Sequence, residues 1–260
     1  MRIPAIPTLL VACVATACAG TPLTMNQDGT VAGFDEVDVG VGVWFPEVNS
    51  SITAQGANTS ADNDLDDAFD TSEMALTGRV EFWEGDAGFI IDATHIDIDT
   101  DTSVPAGSVD SHIRDETVDF LVAQRFALNE STTEKPASSA VISGGMRYRR
   151  LDQRVSAKPG GSASDSHDWI EPVIGAGVIM PTSEEFAFTL RGDMSGFDIG
   201  SGSHRTWNAF AGGEVELDVS NSISFGWRMY DVDLSRGSGA GKFGLDGSFS
   251  GPVVGWNFAF

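Results

Sequence analysis

From residue 35 onward the chain alternates apolar and polar positions with a period of two. Phe186, Phe188 and Leu190 interleave with Glu185, Thr189 and Arg191. Trp207, Ala209, Ala211, Gly213, Val215 and Leu217 interleave with Thr206, Asn208, Glu214 and Glu216. Val118, Phe120 and Val122 stand against Asp115, Thr117 and Asp119, and Val37, Val39, Val41 and Val43 against Glu36, Asp38, Gly40 and Gly42. Successive strand side chains point to opposite faces, so this pattern predicts strands with one oily and one polar face. Helical periodicity is nearly absent. The segments are longer than the about 5–6 residues usual in soluble sheets and nearer the roughly 9–11 needed to cross a membrane as a strand.

Alternation alone fits a soluble sandwich as well as a membrane barrel. Three features favour the barrel. Short turns at 84–86, 181–184 and 218–222 alternate with long polar stretches at 99–114, 156–167, 199–205 and 235–247, as in barrels with short turns at one end and long loops at the other. Aromatic residues gather at strand ends (Trp44, Phe45, Trp83, Trp169, Trp207, Tyr230 and Trp256), which predicts an interfacial girdle. The chain ends on alternating aromatics, Gly255-Trp256-Asn257-Phe258-Ala259-Phe260. The expected fold is therefore all-β, an antiparallel up-and-down transmembrane β-barrel. Ten strands are placed at 35–45, 73–83, 87–98, 115–128, 138–152, 168–180, 185–198, 205–217, 222–234 and 248–260; eight or twelve also keep both ends on one side. Residues 48–60 look strand-like and are assigned, with residues 62–70, to the first outer loop, tucked into the mouth. Pro172 falls inside a predicted strand, where it removes a ladder donor.

The first 19 residues read differently. Arg2 precedes an apolar run at 3–19 that ends in small residues, the pattern of a signal peptide cleaved after Ala17 or Ala19. Residues 20–34 follow as a flexible segment, and 35–260 form the barrel. Both cysteines, Cys13 and Cys18, lie in the leader; Leu10-Val11-Ala12-Cys13 reads like a lipobox, so a lipid-anchored cysteine is an alternative to simple cleavage. No body segment reaches the roughly 20 apolar residues of a membrane helix. The formal charge is -23. Such an acidic chain repels phosphates, which excludes nucleic acid as a partner.

Ordered motifs carry a resemblance. They are Gly144-Gly145-Met146-Arg147-Tyr148, Trp169-Ile170-Glu171-Pro172-Val173-Ile174-Gly175, Leu190-Arg191-Gly192-Asp193-Met194-Ser195-Gly196-Phe197-Asp198-Ile199-Gly200-Ser201 with Thr206-Trp207-Asn208, Tyr230-Asp231-Val232-Asp233, and Gly251-Pro252. In this order the chain resembles uncharacterised proteobacterial outer-membrane β-barrel proteins, in the class of the small OmpA and OmpW barrels. The resemblance implies fold and an outer-membrane location, with no reaction. The terminal Gly255, Trp256, Phe258 and Phe260 resemble the assembly signal of such barrels, although Val253 stands where a polar residue is usual. The implied partners are outer-membrane lipid and lipopolysaccharide, periplasmic chaperones and the barrel-assembly machinery.

The polar face supplies the candidate chemistry. Glu36, Asp38, Glu81, Asp92, Asp119, Glu171, Asp193 and Glu214, with Arg79, Arg125, Arg147, Arg149, Arg191 and Arg228, are expected to line the lumen. They describe either a cation-preferring pore or an interior closed by ion pairs; side chains can largely fill a barrel this narrow. Arg191-Gly192-Asp193 spells an integrin-binding tripeptide, but inside a strand its two charges face the lumen. Asp62, Asp64, Asp66, Asp70 and Glu73 follow the spacing of a calcium loop, with Asp67 where the sharp turn wants Gly; calcium is the one candidate cofactor. Asp97, Asp99 and Asp101 form a similar run without the closing Glu. Three histidines follow serines (Ser111-His112, Ser166-His167 and Ser203-His204), and their convergence on a metal is a further possibility. Sequence neighbours do not make a nucleophile and base, so no catalytic residues are assigned. The expected function is a non-enzymatic outer-membrane barrel, structural or weakly conducting. The alternatives are a small cation-preferring diffusion channel and a surface protein binding ligand or calcium through acidic outer loops.

Overall fold

The computed structural model describes residues 34–54, 57–63, 74–104, 107–130, 137–158, 160–197 and 203–260. The predicted leader, both cysteines and most of the segment 20–34 lie outside them; at its end, the Phe34 ring packs 5.2 Å from that of Phe82. Twelve strands follow in order: β1 (Glu36–Trp44), β2 (Glu47–Ala54), β3 (Ala57–Asn63), β4 (Ala75–Glu84), β5 (Ala87–Val104), β6 (Gly107–Ala127), β7 (Ser139–Lys158), β8 (Ser162–Pro181), β9 (Phe186–Ser195), β10 (Ser203–Asp218), β11 (Asn221–Arg236) and β12 (Phe243–Ala259). Neighbours pair antiparallel in the order β1, then β4 through β12, and β12 returns to β1. Ten strands thus close a barrel. At the seam Phe260 N donates to Val37 O at 2.9 Å and Val37 N donates to Phe260 O at 3.3 Å. Closure leaves the barrel section without unpaired strand edges.

Each strand carries two sections of opposite polarity. Toward the end where β1 begins and β12 finishes, here the inner end, the outward row is apolar. It includes Leu76, Phe89, Phe120, Ile142, Met146, Ile174, Leu190, Phe225 and Val254, all exposed. So large a continuous apolar surface is untenable in water and belongs against lipid. On β8 the row runs from Ile170 to Met180, which at ~3.3 Å per residue and ~45° of tilt rises roughly 25 Å, the height of the apolar band of membrane barrels.

Beyond this belt the faces exchange roles. On β5 the outward residues become His95, Asp97 and Asp99 while Ile96 and Ile98 turn in, each 2% exposed. On β11 the outward Phe225, Trp227 and Met229 give way to Asp231 and Asp233, and the inward row becomes Tyr230, Val232 and Leu234. The outer halves of β5 to β8 face β11, β12, β2 and β3 across a shared core of Trp44, Val48, Ile52, Ile96, Ile98, Ile113, Leu151, Val155, Val232, Leu234, Phe243, Leu245 and Phe249. The outer section is therefore a two-sheet sandwich standing on the barrel. Each fully buried Val, Leu, Ile or Phe contributes ~1.5–3 kcal/mol, so this cap is a packed body and not a set of loops.

Several expectations change here. Residues 99–104 and 107–114 are strand in the β5–β6 hairpin, 156–158 and 162–167 are strand in the β7–β8 hairpin, and 235–247 is mostly strand around a 3-10 turn at Gly239–Gly241. Residues 48–60 do not tuck into the mouth. β2 pairs with the outer part of β12, residues 244–250, directly above the stretch that β1 occupies. Strand β9 stops at Ser195, short of the expected 198. The Pro172 carbonyl accepts from Gly196 N at 3.3 Å, so its donorless nitrogen faces the side where β9 has just ended. Of the expected girdle, Trp207 and Trp256 do face outward, at 37% and 41% exposure, whereas Trp44, Trp83, Trp169 and Tyr230 turn inward.

Candidate functional site

All fourteen lumen charges named from the sequence lie on inward rows, because each shares the parity of a buried neighbour in the register. At the inner end Arg125 makes a two-pronged bond to Glu36, 3.0 and 2.9 Å, and its guanidinium lies 4.0 Å over the Trp83 ring. Trp83 in turn lies over Gly88, where a Cβ would sit 2.5 Å from the indole; only glycine admits the ring flat against the wall. Arg79 donates to Glu81 at 2.5 Å and to Asp92 at 2.8 Å. Glu214 accepts from Ser222 and from Asn257, the latter at 3.0 Å.

Half-way up, the network crosses the barrel. Arg147 binds Asp119 with two bonds of 2.7 Å, and reaches Asp193 at 2.8 Å and Ser195 at 3.0 Å. Asn208 donates to Asp193 at 2.7 Å and accepts from Arg228 at 2.9 Å, and Arg228 reaches Thr94 on the opposite wall at 3.1 Å. Above this, Arg149 forks onto Asp115 at 2.8 and 2.7 Å and donates to Thr206 at 3.0 Å, while the Tyr230 hydroxyl donates across the lumen to Asp115 at 3.0 Å. Arg149 is wholly inaccessible and Asp115 is 1% exposed. The apolar core of the cap lies immediately outward.

Two adjoining cavities share Arg79, Asp92 and Arg191 in their walls. A cavity of about 120 Å³ is lined by Arg79, Asp92, Thr94, Asp119, Arg147, Asp193 and Tyr230, among others. A second, of about 270 Å³, lies toward the inner end between Asp38, Thr77, Arg191, Glu214, Ser224 and Asn257. Glu36, 41% exposed at its side chain, stands at that end. Arg191 extends over the Phe210 ring at 5.0 Å. Among the described residues, the recess near the inner end is bounded outward by cross-lumen hydrogen bonds and then by the cap.

The other predicted elements fall elsewhere. Arg191 and Asp193 of the tripeptide face inward and Gly192 outward. Of the calcium-loop residues, Asp62 lies in β3, where only the backbone is described, and Asp64, Asp66, Asp70 and Glu73 lie outside the described residues. The three Ser-His pairs do not converge. His112 faces outward beside Asp99, His167 stacks on Phe243 at 4.4 Å, and His204 meets Glu171 at 3.0 Å inside the lumen. Ser195 also donates to Glu171, at 2.7 Å, so His204 and Ser195 engage one carboxylate from its two oxygens. Ser195 is fully buried and accepts from Arg147, which suits bracing rather than attack on a substrate. On the β10–β11 turn, hydrogen bonds from Asn221 and the Ser220 backbone hold the Asp218 carboxyl below the usual carboxylate range. At the chain end Trp256 and Phe258 face the belt, Gly255 faces the lumen, and Phe260 is exposed just past β12. Lumen groups not named from the sequence include Trp44, Asp115, Trp169, Ser195, His204, Thr206, Asn208 and Tyr230. The available signal was their parity with the charged residues of their own strands, such as Asp115 with Asp119, Trp169 with Glu171 and Tyr230 with Arg228.

A closed antiparallel barrel with an apolar belt outside and a braced polar interior defines the class: a β-barrel of the outer-membrane type. No family model matches the chain, and no curated protein matches it in sequence. Among solved structures it is similar to Ail, the attachment invasion locus protein of Yersinia pestis (13% identity over 86% of this chain and 98% of that one, TM-score 0.37). It is also similar to the translocator domain of the autotransporter NalP from Neisseria meningitidis (14%, 98% and 99%, TM-score 0.35) and to Neisserial surface protein A (10%, 86% and 97%, TM-score 0.29). The class assignment rests on the strand pairing and the belt.

Proposed function

We propose that the protein is a structural barrel of the bacterial outer membrane, closed to solutes, whose membrane section carries a folded extracellular cap. The observation that carries this reading is the packed apolar core of the cap. Among the described residues, twelve buried apolar side chains of the two sheets, with Trp44 of β1, fill the space through which a solute would leave. Among the described residues, nine carboxylates including Asp115 face six guanidiniums in the lumen, and most are engaged with one another, as in an interior that holds shape rather than selects ions. The short turns and both described chain ends then face the periplasm. The chain is delivered by its predicted signal peptide and assembled by machinery that reads the last strand, among lipid and lipopolysaccharide. The motif resemblance to the small OmpA and OmpW barrels agrees with this reading, and no reaction is proposed.

The test is sidedness. Ser224 lines the inner recess and is partly buried. A Ser224→Cys variant is expected to react with a membrane-impermeant maleimide after the outer membrane is permeabilised and to stay unlabelled on intact cells. Labelling at equal rates from both sides contradicts a lumen closed at its outer end.

A further inference from the structure

The outer wall of the cap carries a mixed nitrogen and oxygen donor set that the closed-barrel reading does not use. Asp97 and Asp99 occupy successive outward positions on β5, and His112 on β6 stands directly opposite Asp99 in the register. One ligand atom from each of the three lies within 4.8 Å of the others. His112 Nδ1 is 2.9 Å from Asp99 Oδ1 and 3.5 Å from Asp97 Oδ1. Arg114, opposite Asp97, grips only its other oxygen, Oδ2, at 2.9 and 2.6 Å. The guanidinium thus orients Asp97 and leaves Oδ1 turned toward the imidazole, as an outer partner orients a metal ligand.

We infer that Asp97, Asp99 and His112 form a binding site for a divalent transition-metal ion such as Zn²⁺, with water completing the coordination. Carboxylate oxygen and imidazole nitrogen are both zinc donors, and three protein ligands leave an open position for water. The imidazole favours Zn²⁺ over Ca²⁺ or Mg²⁺, which take oxygen ligands. Two strands fix the three donors before any ion arrives, so binding needs small side-chain adjustments and no folding step. Arg114 offsets one of the two carboxylates, which limits the affinity. The alternative is a plain cross-strand Asp–His pair that takes no metal.

The two readings separate by calorimetric titration of Zn²⁺ into the EDTA-stripped, refolded protein in detergent near neutral pH, with folding checked by heat-modifiable migration on a gel. The wild type is expected to bind one equivalent. Loss of an outer partner alone commonly weakens a metal site by roughly 10–100-fold, so His112→Ala and Asp99→Asn should each weaken this one by at least roughly tenfold. His95→Ala, removing the outward imidazole of β5, should leave the affinity unchanged. No saturable Zn²⁺ binding by the folded wild type, unchanged binding by His112→Ala, or displacement of Zn²⁺ by an equal concentration of Ca²⁺ overturns the assignment.

Discussion

Arg149→Ala is expected to lower the unfolding free energy of the lipid-embedded barrel by about 3–5 kcal/mol, the cost of leaving one partner of a buried ion pair uncompensated. The pair sits where the lumen meets the cap. Arg149 is inaccessible, bonds Asp115 twice and Thr206 once, and lies 5.6 and 5.7 Å from the rings of Trp169 and Tyr230. Truncation removes these contacts and leaves the Asp115 carboxylate with only the Tyr230 hydroxyl among its described hydrogen-bond donors. Guanidinium titration in lipid vesicles, followed by tryptophan fluorescence, measures the loss. The double variant Asp115→Leu with Arg149→Met should recover most of it, because well-packed apolar groups of similar volume commonly replace a buried pair without loss. A single-variant loss below about 1 kcal/mol would mean that water reaches this level and that the lumen is wet where it is described as sealed.

Gly251→Val is expected to abolish the folded, heat-modifiable form. The seam strand β12 pairs with β1 on its inner stretch and with β2 on its outer stretch, and the chain crosses between them at Phe45-Pro46. A Cβ at Gly251 would lie 1.9 Å from the Phe45 carbonyl oxygen and 3.1 Å from Pro46 Cα. Both are backbone atoms, so no rotamer change relieves the clash. The neighbouring bond from Phe45 N to Pro252 O, 3.0 Å, holds the crossing in place. Pro46 and Pro252 meet at this break, where missing donors are tolerated. Gly161→Ala, at a turn with open space around its Cα, should fold as the wild type does. Normal heat-modifiable migration of Gly251→Val would show that the seam can separate at low cost.

The Gly251-Pro252 dipeptide was visible in the sequence as a motif, but its reason was not. The break it accommodates joins residues about 200 positions apart in the chain, beyond the reach of any local pattern. The barrel strands themselves were legible because period-two alternation is local: Phe188 and Leu190 against Thr189 and Arg191 fix which residues share a face. The cap was not read because alternation leaves open which face is inside. On β11 the apolar set runs Ile223, Phe225, Trp227, Met229 and then Tyr230, Val232, Leu234, a change of parity at Met229-Tyr230. On β5 the same change falls between Ile91 and Ile96. Each marks the level where lipid ends and a water-facing sandwich begins. With the polarity of both faces exchanged, acidic strand residues such as Asp99 and Asp110 looked like loop, and Trp44, Trp169 and Tyr230 looked like an interfacial girdle. The lumen charges were legible by parity, whereas the way they brace one another across the barrel, from Arg228 to Thr94 and from Tyr230 to Asp115, is set by tertiary distance alone.

In the proposed closed barrel, cross-lumen bonds and the apolar cap together seal the lumen. The most direct test of that seal is planar-bilayer conductance of the refolded protein in salts of differing ion size, with folding verified in the same sample. A silent bilayer is expected. Steady single-channel steps, cation-selective and altered by neutralising Asp38, would contradict it and restore the diffusion channel.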